Sequence, residues 1–142
     1  MKKLILLLFI PLVFACSSDD EDNNSNETFL EKYDGVVWEI NEDTTVYLRF
    51  NNDTLNWLTS YEFNEVNEYE CFNLISDNPS VNFLILINSG DNFSYSAQYP
   101  DEDAGDVYIT VSDNGNILEI VNPSHNSQAT FLKSDLTEIP CD

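Results

Sequence analysis

The chain has 142 residues, with 26 acidic side chains against 5 basic ones and a formal net charge of −21. That balance excludes nucleic-acid binding, which needs clustered Lys and Arg to neutralise phosphates, and direct attraction to anionic lipid headgroups. At 42% hydrophobic and 13% aromatic residues, the chain holds enough apolar surface for one core, so disorder is expected only in its polar segments.

Lys2 and Lys3 open the chain, Leu4 to Phe14 is an apolar run interrupted by Pro11, and Val13-Phe14-Ala15-Cys16 ends it. A charged start, a short apolar middle and a small residue at the cut make a secretory leader, too short for the roughly 20 residues of a membrane span. The aliphatic-x-small-Cys ending resembles the signal of bacterial lipoproteins. The resemblance implies cleavage before Cys16, diacylglycerylation of its thiol and acylation of the new amine. Two or more acyl chains anchor a protein stably without a spanning helix.

Residues 1–15 are thus expected to be a signal peptide, and 16–27 a lipidated Cys followed by an acidic tether. Ser17 to Asn26 contains no apolar residue, so nothing offsets the entropy of ordering it. Its acidic run, starting three residues after Cys16, resembles the export signal of Gram-negative lipoproteins displayed on the outer face of the outer membrane. A solvated spacer is the plain alternative. Loss of the leader removes Lys2 and Lys3 but no acid, leaving a charge of −23. Such a charge would attract cations or a basic partner.

Residues 28–142 read as one domain. Thr28 and Glu31 form a capping-box pattern for a helical turn through Tyr33, which Asp34-Gly35 breaks. Strands are predicted over Val36–Ile40, Thr44–Phe50, Leu55–Phe63, Glu68–Ile75, Val81–Ile87, Phe93–Tyr99, Asp106–Ser112, Ile117–Asn122 and Ser127–Lys133. Alternation sorts their faces: Val46, Leu48 and Phe50 share one, as do Phe93, Tyr95, Ala97 and Tyr99. Val81–Ile87 is apolar on both faces and is expected to be the most buried strand. Ser89-Gly90-Asp91-Asn92 and Asp113-Asn114-Gly115-Asn116 read as hairpin turns.

The expected fold is therefore all-β, a single antiparallel meander. An up-and-down barrel closes it most simply and removes free edges; a two-sheet sandwich is the alternative. A helical turn, then Gly35-Val36-Val37-Trp38 opening the first strand of a meander, resembles the small lipocalin-like domains of bacterial lipoproteins. Those typically show Gly-x-Trp, and this chain has one residue more between the two. The resemblance implies a barrel with Trp38 in its core at one end, and a cavity for a ligand it does not name.

With Cys16 assigned to lipid, Cys71 and Cys141 remain as a pair in an exported protein, and a disulfide is expected. Asp101, Asp103 and Asp106, with Gly105 to turn the chain, form an acidic cluster that is a weak candidate for Ca²⁺. It lacks the EF-hand pattern, and a solvated loop is the commoner outcome. Thr44 and Thr54 follow Asp43 and Asp53 in a short pattern that matches an O-glycosylation signal, although Asp-Thr is also ordinary turn chemistry. His125 is alone, without a nucleophile elbow or further nitrogen ligands.

No catalytic set emerges, so an enzyme is not expected and no cofactor is implied. Tyr47, Tyr61, Tyr69, Tyr95, Tyr99 and Tyr108 lie in or at the ends of strands. A subset on an open face or barrel mouth would stack on sugars or grip a partner. The leading expectation is a lipid-anchored, surface-exposed, non-catalytic binding module for a small hydrophobic or glycan ligand. The alternative is a filled barrel that docks a basic protein of the cell envelope.

Overall fold

The computed structural model describes residues 26–41, 45–53, 55–63, 68–139 and 141. One helical turn precedes the strands. Thr28 caps α1 (Phe29–Lys32): its hydroxyl accepts from the Glu31 N–H at 3.2 Å, and the Glu31 carboxylate accepts from the Thr28 N–H at 2.9 Å. The two bonds match the capping box read in Thr28 and Glu31, and the Thr28 N–H and then its hydroxyl, both donating to the Glu31 carboxylate, hold that carboxyl below its ordinary range.

Nine strands follow: β1 (Val37–Asn41), β2 (Thr45–Phe50), β3 (Leu58–Phe63), β4 (Tyr69–Asn73), β5 (Asn82–Ser89), β6 (Asn92–Gln98), β7 (Gly105–Ser112), β8 (Ile117–Asn122) and β9 (Ser127–Lys133). They form one antiparallel sheet in the order β4-β3-β2-β1-β9-β8-β7-β6-β5, curled into a half-barrel. The single sheet replaces the sandwich alternative. Consecutive strands pair throughout except at β4 and β5, and β1 pairs with β9 through Trp38↔Lys133 and Glu39↔Leu132. Two further bonds extend that closure: Ser134 N–H donates to the Val37 carbonyl at 2.9 Å, and its hydroxyl donates to Glu39 at 2.8 Å.

The break between β4 and β5 follows from strand parity. Neighbours alternate in direction, so the first and last of an odd set run the same way. Direct β4–β5 pairing would be parallel, and a parallel pair needs a crossover of about a dozen residues or more. Residues 74–81 instead run back from the α1 end of β4 to the far end of β5. They do so as a series of turns, with Asn78 N–H donating to Ile75 and Val81 N–H to Asn78. Leu74, Ile75 and Val81 pack against the core from this segment.

The all-β antiparallel meander is as expected, and it curls into a half-barrel whose outermost strands, β4 and β5, do not pair with each other. One expectation is corrected: the segment expected to be most buried is one of those outermost strands, and on β5 Leu84 is 60% exposed, Leu86 47% and Ile87 45%. An apolar run does not distinguish a doubly covered strand from an edge, because position in the sheet depends on remote pairing. The pairing register with β6 shifts between Ile85 and Ile87, a bulge of the kind that interrupts edge strands.

The core sits at the α1 end. Phe29, fully buried, places its ring 5.1 Å from Phe50 and 5.4 Å from Phe93. Trp38, Trp57 and Leu118 are buried around it. Trp38 is therefore a core residue. α1 is fastened by its edges: Leu30 N–H donates to Asn88 at 3.0 Å, Lys32 pairs with Asp91 at 2.7 Å, and Tyr33 donates its hydroxyl to the same carboxylate. Gly90, at φ +52°, makes the β5–β6 turn that presents Asp91, a conformation that costs glycine little.

Candidate functional site

The strand faces that point inward away from α1 leave two cavities at the opposite end of the half-barrel. The first has a volume of about 300 Å³. Val46 and Leu48 of β2, Leu58 of β3 and Phe72 of β4 form one wall, and Ile120 of β8 with Ala129 and Phe131 of β9 form the other. Ser60 and Glu62 share the inward face of β3 with Leu58. The lining is otherwise aliphatic or phenyl, and its volume reaches the lower end of the range for small-ligand sites.

The second cavity is about 290 Å³ and is bounded by Phe83, Tyr95, Ala97 and Val107, with Leu74 lining both. Its rim is polar. Glu102 and Asp103 come from the β6–β7 loop, and Asn122, Ser124 and His125 from the end of β8 and the turn after it. Burial pushes the Tyr95 phenol up to about 12, with Tyr99 contributing. Tyr95 is therefore neutral over the physiological range.

A larger groove of about 590 Å³ lies at the α1 end. It gathers Lys32 and Lys133, but Asp91 and Asp113 line it too, so its charges offset one another. Lys32 is already paired with Asp91. It offers an anion little net attraction.

The residues expected to be functional are placed as follows. Cys71 of β4 and Cys141 form a disulfide across a sequence separation of 70, with Cα atoms 5.4 Å apart. It ties the C-terminal segment, with buried Ile139, to the outer side of β2–β4 beside Arg49 and Thr59. Asp101 and Asp103 are exposed in the β6–β7 loop, while Asp106 lies within β7 opposite Ser96. The three do not gather, and no cluster of three His, Cys, Asp or Glu fit to hold a metal occurs among the described residues. Cys16, Thr44 and Thr54 lie outside the described residues. No helix among the described residues is long and apolar enough to cross a membrane.

The tyrosines divide by face. Tyr95 is in the core, whereas Tyr47 and Tyr61 pair on the outer side with ring centroids 6.2 Å apart. Tyr99 and Tyr108 are exposed. None of these lines the aliphatic cavity. Ser60, Glu62 and Leu74 were not singled out by sequence: a Ser and a Glu alternating with Leu58 read as an irregular strand, and Leu74 gains its role only where residues 74–81 cross the gap. Comparison with known proteins returns no matching family model, curated protein or solved structure.

Proposed function

We propose that this protein is a non-catalytic binding module for a small hydrophobic ligand, held at the outer membrane by lipid on Cys16 and facing the cell exterior. The observation that carries the ligand half is the cavity of about 300 Å³ walled by Val46, Leu48, Leu58, Ile120, Ala129 and the two phenylalanines. Its aliphatic lining favours an acyl or alkyl ligand over a glycan, which would stack on aromatic faces. The anchor half rests on the leader and its Cys16 ending.

The test is titration with Nile red, an uncharged apolar dye, in competition with decanol. Enhanced dye emission, displaced by decanol and lost in Ala129→Phe, is the expected result. The larger ring fills the cavity from β9. A dye that never binds, or binds Ala129→Phe equally well, refutes the reading. Cys16→Ser is expected to move the protein from the membrane to the soluble fraction; continued membrane fractionation overturns the anchor.

A second reading is favoured by a different observation. Leu84, Leu86 and Ile87 on the free β5 edge, with Tyr108 nearby, form an exposed apolar stripe on a strongly acidic protein. It would suit a basic envelope protein that adds a strand. Retention of no basic protein at low salt removes this reading.

A further inference from the structure

β5 is the last strand of the sheet, hydrogen-bonded to β6 on one side and to no strand on the other. α1 takes its C-terminal end: Leu30 N–H donates to the Asn88 side chain at 3.0 Å, and Gly90 N–H to the Glu27 carbonyl at 3.1 Å. Asn82 to Ile87 is left over, with Leu84, Leu86 and Ile87 all exposed. A strand edge carries a row of backbone donors and acceptors that water or another strand must satisfy.

Charge decides which strand fits. In a chain that is 22% charged, residues 82–98 hold a single charged side chain, Asp91. That carboxylate already meets Lys32 and Tyr33. The β5–β6 hairpin therefore offers no unengaged acid to a basic strand, and it suits an uncharged one. Two chains of net charge −21 repel each other, so they come together most readily through segments that are uncharged on both. β4, the outermost strand on the other side, is different: it carries Glu70, and its Cys71 is bridged to Cys141. Pairing β4 with a copy of itself would bring like charges together.

We propose that the protein forms a two-fold dimer in which β5 pairs antiparallel with the β5 of a second copy. A two-fold axis perpendicular to the sheet reverses the strand direction and keeps each face on its own side, so one surface serves both copies. Centred on Leu84, it sets Leu84 opposite its own counterpart and Phe83 opposite Ile85 of the second copy. Phe83 and Ile85 both pack toward the core, so like faces meet and apolar meets apolar. This part of β5 precedes the register shift between Ile85 and Ile87. The inference is independent of the cavity-binding reading, and it assigns the β5 stripe to a second copy where a basic envelope protein would compete for it.

The test is disulfide trapping in the full-length chain carrying Cys16→Ser, with Cys71 and Cys141 left bridged, under a mild oxidant. Leu84→Cys is expected to give a reductant-sensitive dimer at least about tenfold faster than Leu132→Cys, since pairing raises the local thiol concentration toward the millimolar range. The control is equally exposed, 58% against 60%, but lies on β9, which is paired on both sides. Light scattering of the unsubstituted full-length chain reads the same event. Raising salt from about 0.01 M to about 0.1 M shortens the screening length from roughly 30 Å to roughly 10 Å, and dimerisation is expected to strengthen at least about fivefold. Leu84→Lys sets like charges against each other at the axis and is expected to abolish it.

Equal trapping at Leu84→Cys and Leu132→Cys overturns the dimer, as does a Leu84→Lys chain that associates like the unsubstituted one. Should Leu84→Cys not fold, an unsubstituted chain that scatters as a monomer at both salt concentrations overturns it. In a mixture with a basic envelope protein, a Leu84→Cys adduct to that protein in place of the dimer, weakened by salt, overturns it in favour of the competing occupant.

Discussion

Reduction of the Cys71–Cys141 bridge should be the most costly covalent change available to this domain. The two residues are separated by 70 positions, so the bridge closes a large loop in the unfolded chain. In the chain-entropy treatment a loop of that length is worth about 4 kcal/mol. Ile139, buried beside the bridge, keeps part of the docking energy of the tail when the sulfurs are separated, so contacts seen in the folded state change little. The loss therefore arises mainly from the freed unfolded ensemble. For a domain of this size, unfolding entropy scales to roughly 0.24 kcal/mol/K, and about 4 kcal/mol corresponds to a fall of about 17 °C in melting temperature.

The assay is urea unfolding followed by tryptophan fluorescence, since Trp38 and Trp57 are both buried. Wild type, wild type in reductant and the Cys71→Ser, Cys141→Ser double variant are compared. Reductant should shift the wild-type midpoint to that of the double variant and leave the variant itself unmoved. The slope against urea should also rise, because an unbridged unfolded chain exposes more surface. A wild type whose midpoint is indifferent to reductant, with two alkylatable thiols in the folded state, would refute the reasoning.

Three other outcomes follow from the packing. Phe29→Ala removes the ring that joins α1 to Phe50 and Phe93 and should cost about 3–5 kcal/mol, read as a lower urea midpoint; an unchanged midpoint would show that α1 does not close the core. The Asp91 carboxyl is held below its ordinary range by hydrogen bonds from Lys32 and then Tyr33. A carboxylate with a depressed value adds stability that is present above its unfolded pKa and lost as pH falls through the folded one. Stability should therefore decline below about pH 4, and Asp91→Asn should flatten that decline in unfolding curves taken from pH 7 to pH 2. Because the pair is partly exposed, the effect is small and shrinks with salt; equal slopes in the two proteins would count against it. Leu84→Lys on the free β5 edge should slow self-association at high concentration without moving the melting temperature. Light scattering would reveal this, and an unchanged association rate would mean that the edge is not the route.

Local features were legible in the sequence because neighbouring residues determine them. The capping box of Thr28 and Glu31 needs only four positions. The turns at Gly90 and Gly115 need residues that tolerate positive φ. The inward faces of β2 and β6 follow from strict alternation. The pairing of Cys71 with Cys141 followed from counting once Cys16 was set aside. Nine strands separated by short turns were enough for an antiparallel all-β meander.

Tertiary structure alone decided which strands would be edges. β5 holds the longest uninterrupted apolar run of the nine, Phe83 to Ile87, yet it lies at a margin, because an odd number of alternating strands leaves β4 and β5 parallel and unable to pair across a short link. The same circumstance placed Leu74 in the lining of both cavities. Alternation names a face but says nothing of what lies opposite it, and the candidate site is made of such opposed faces.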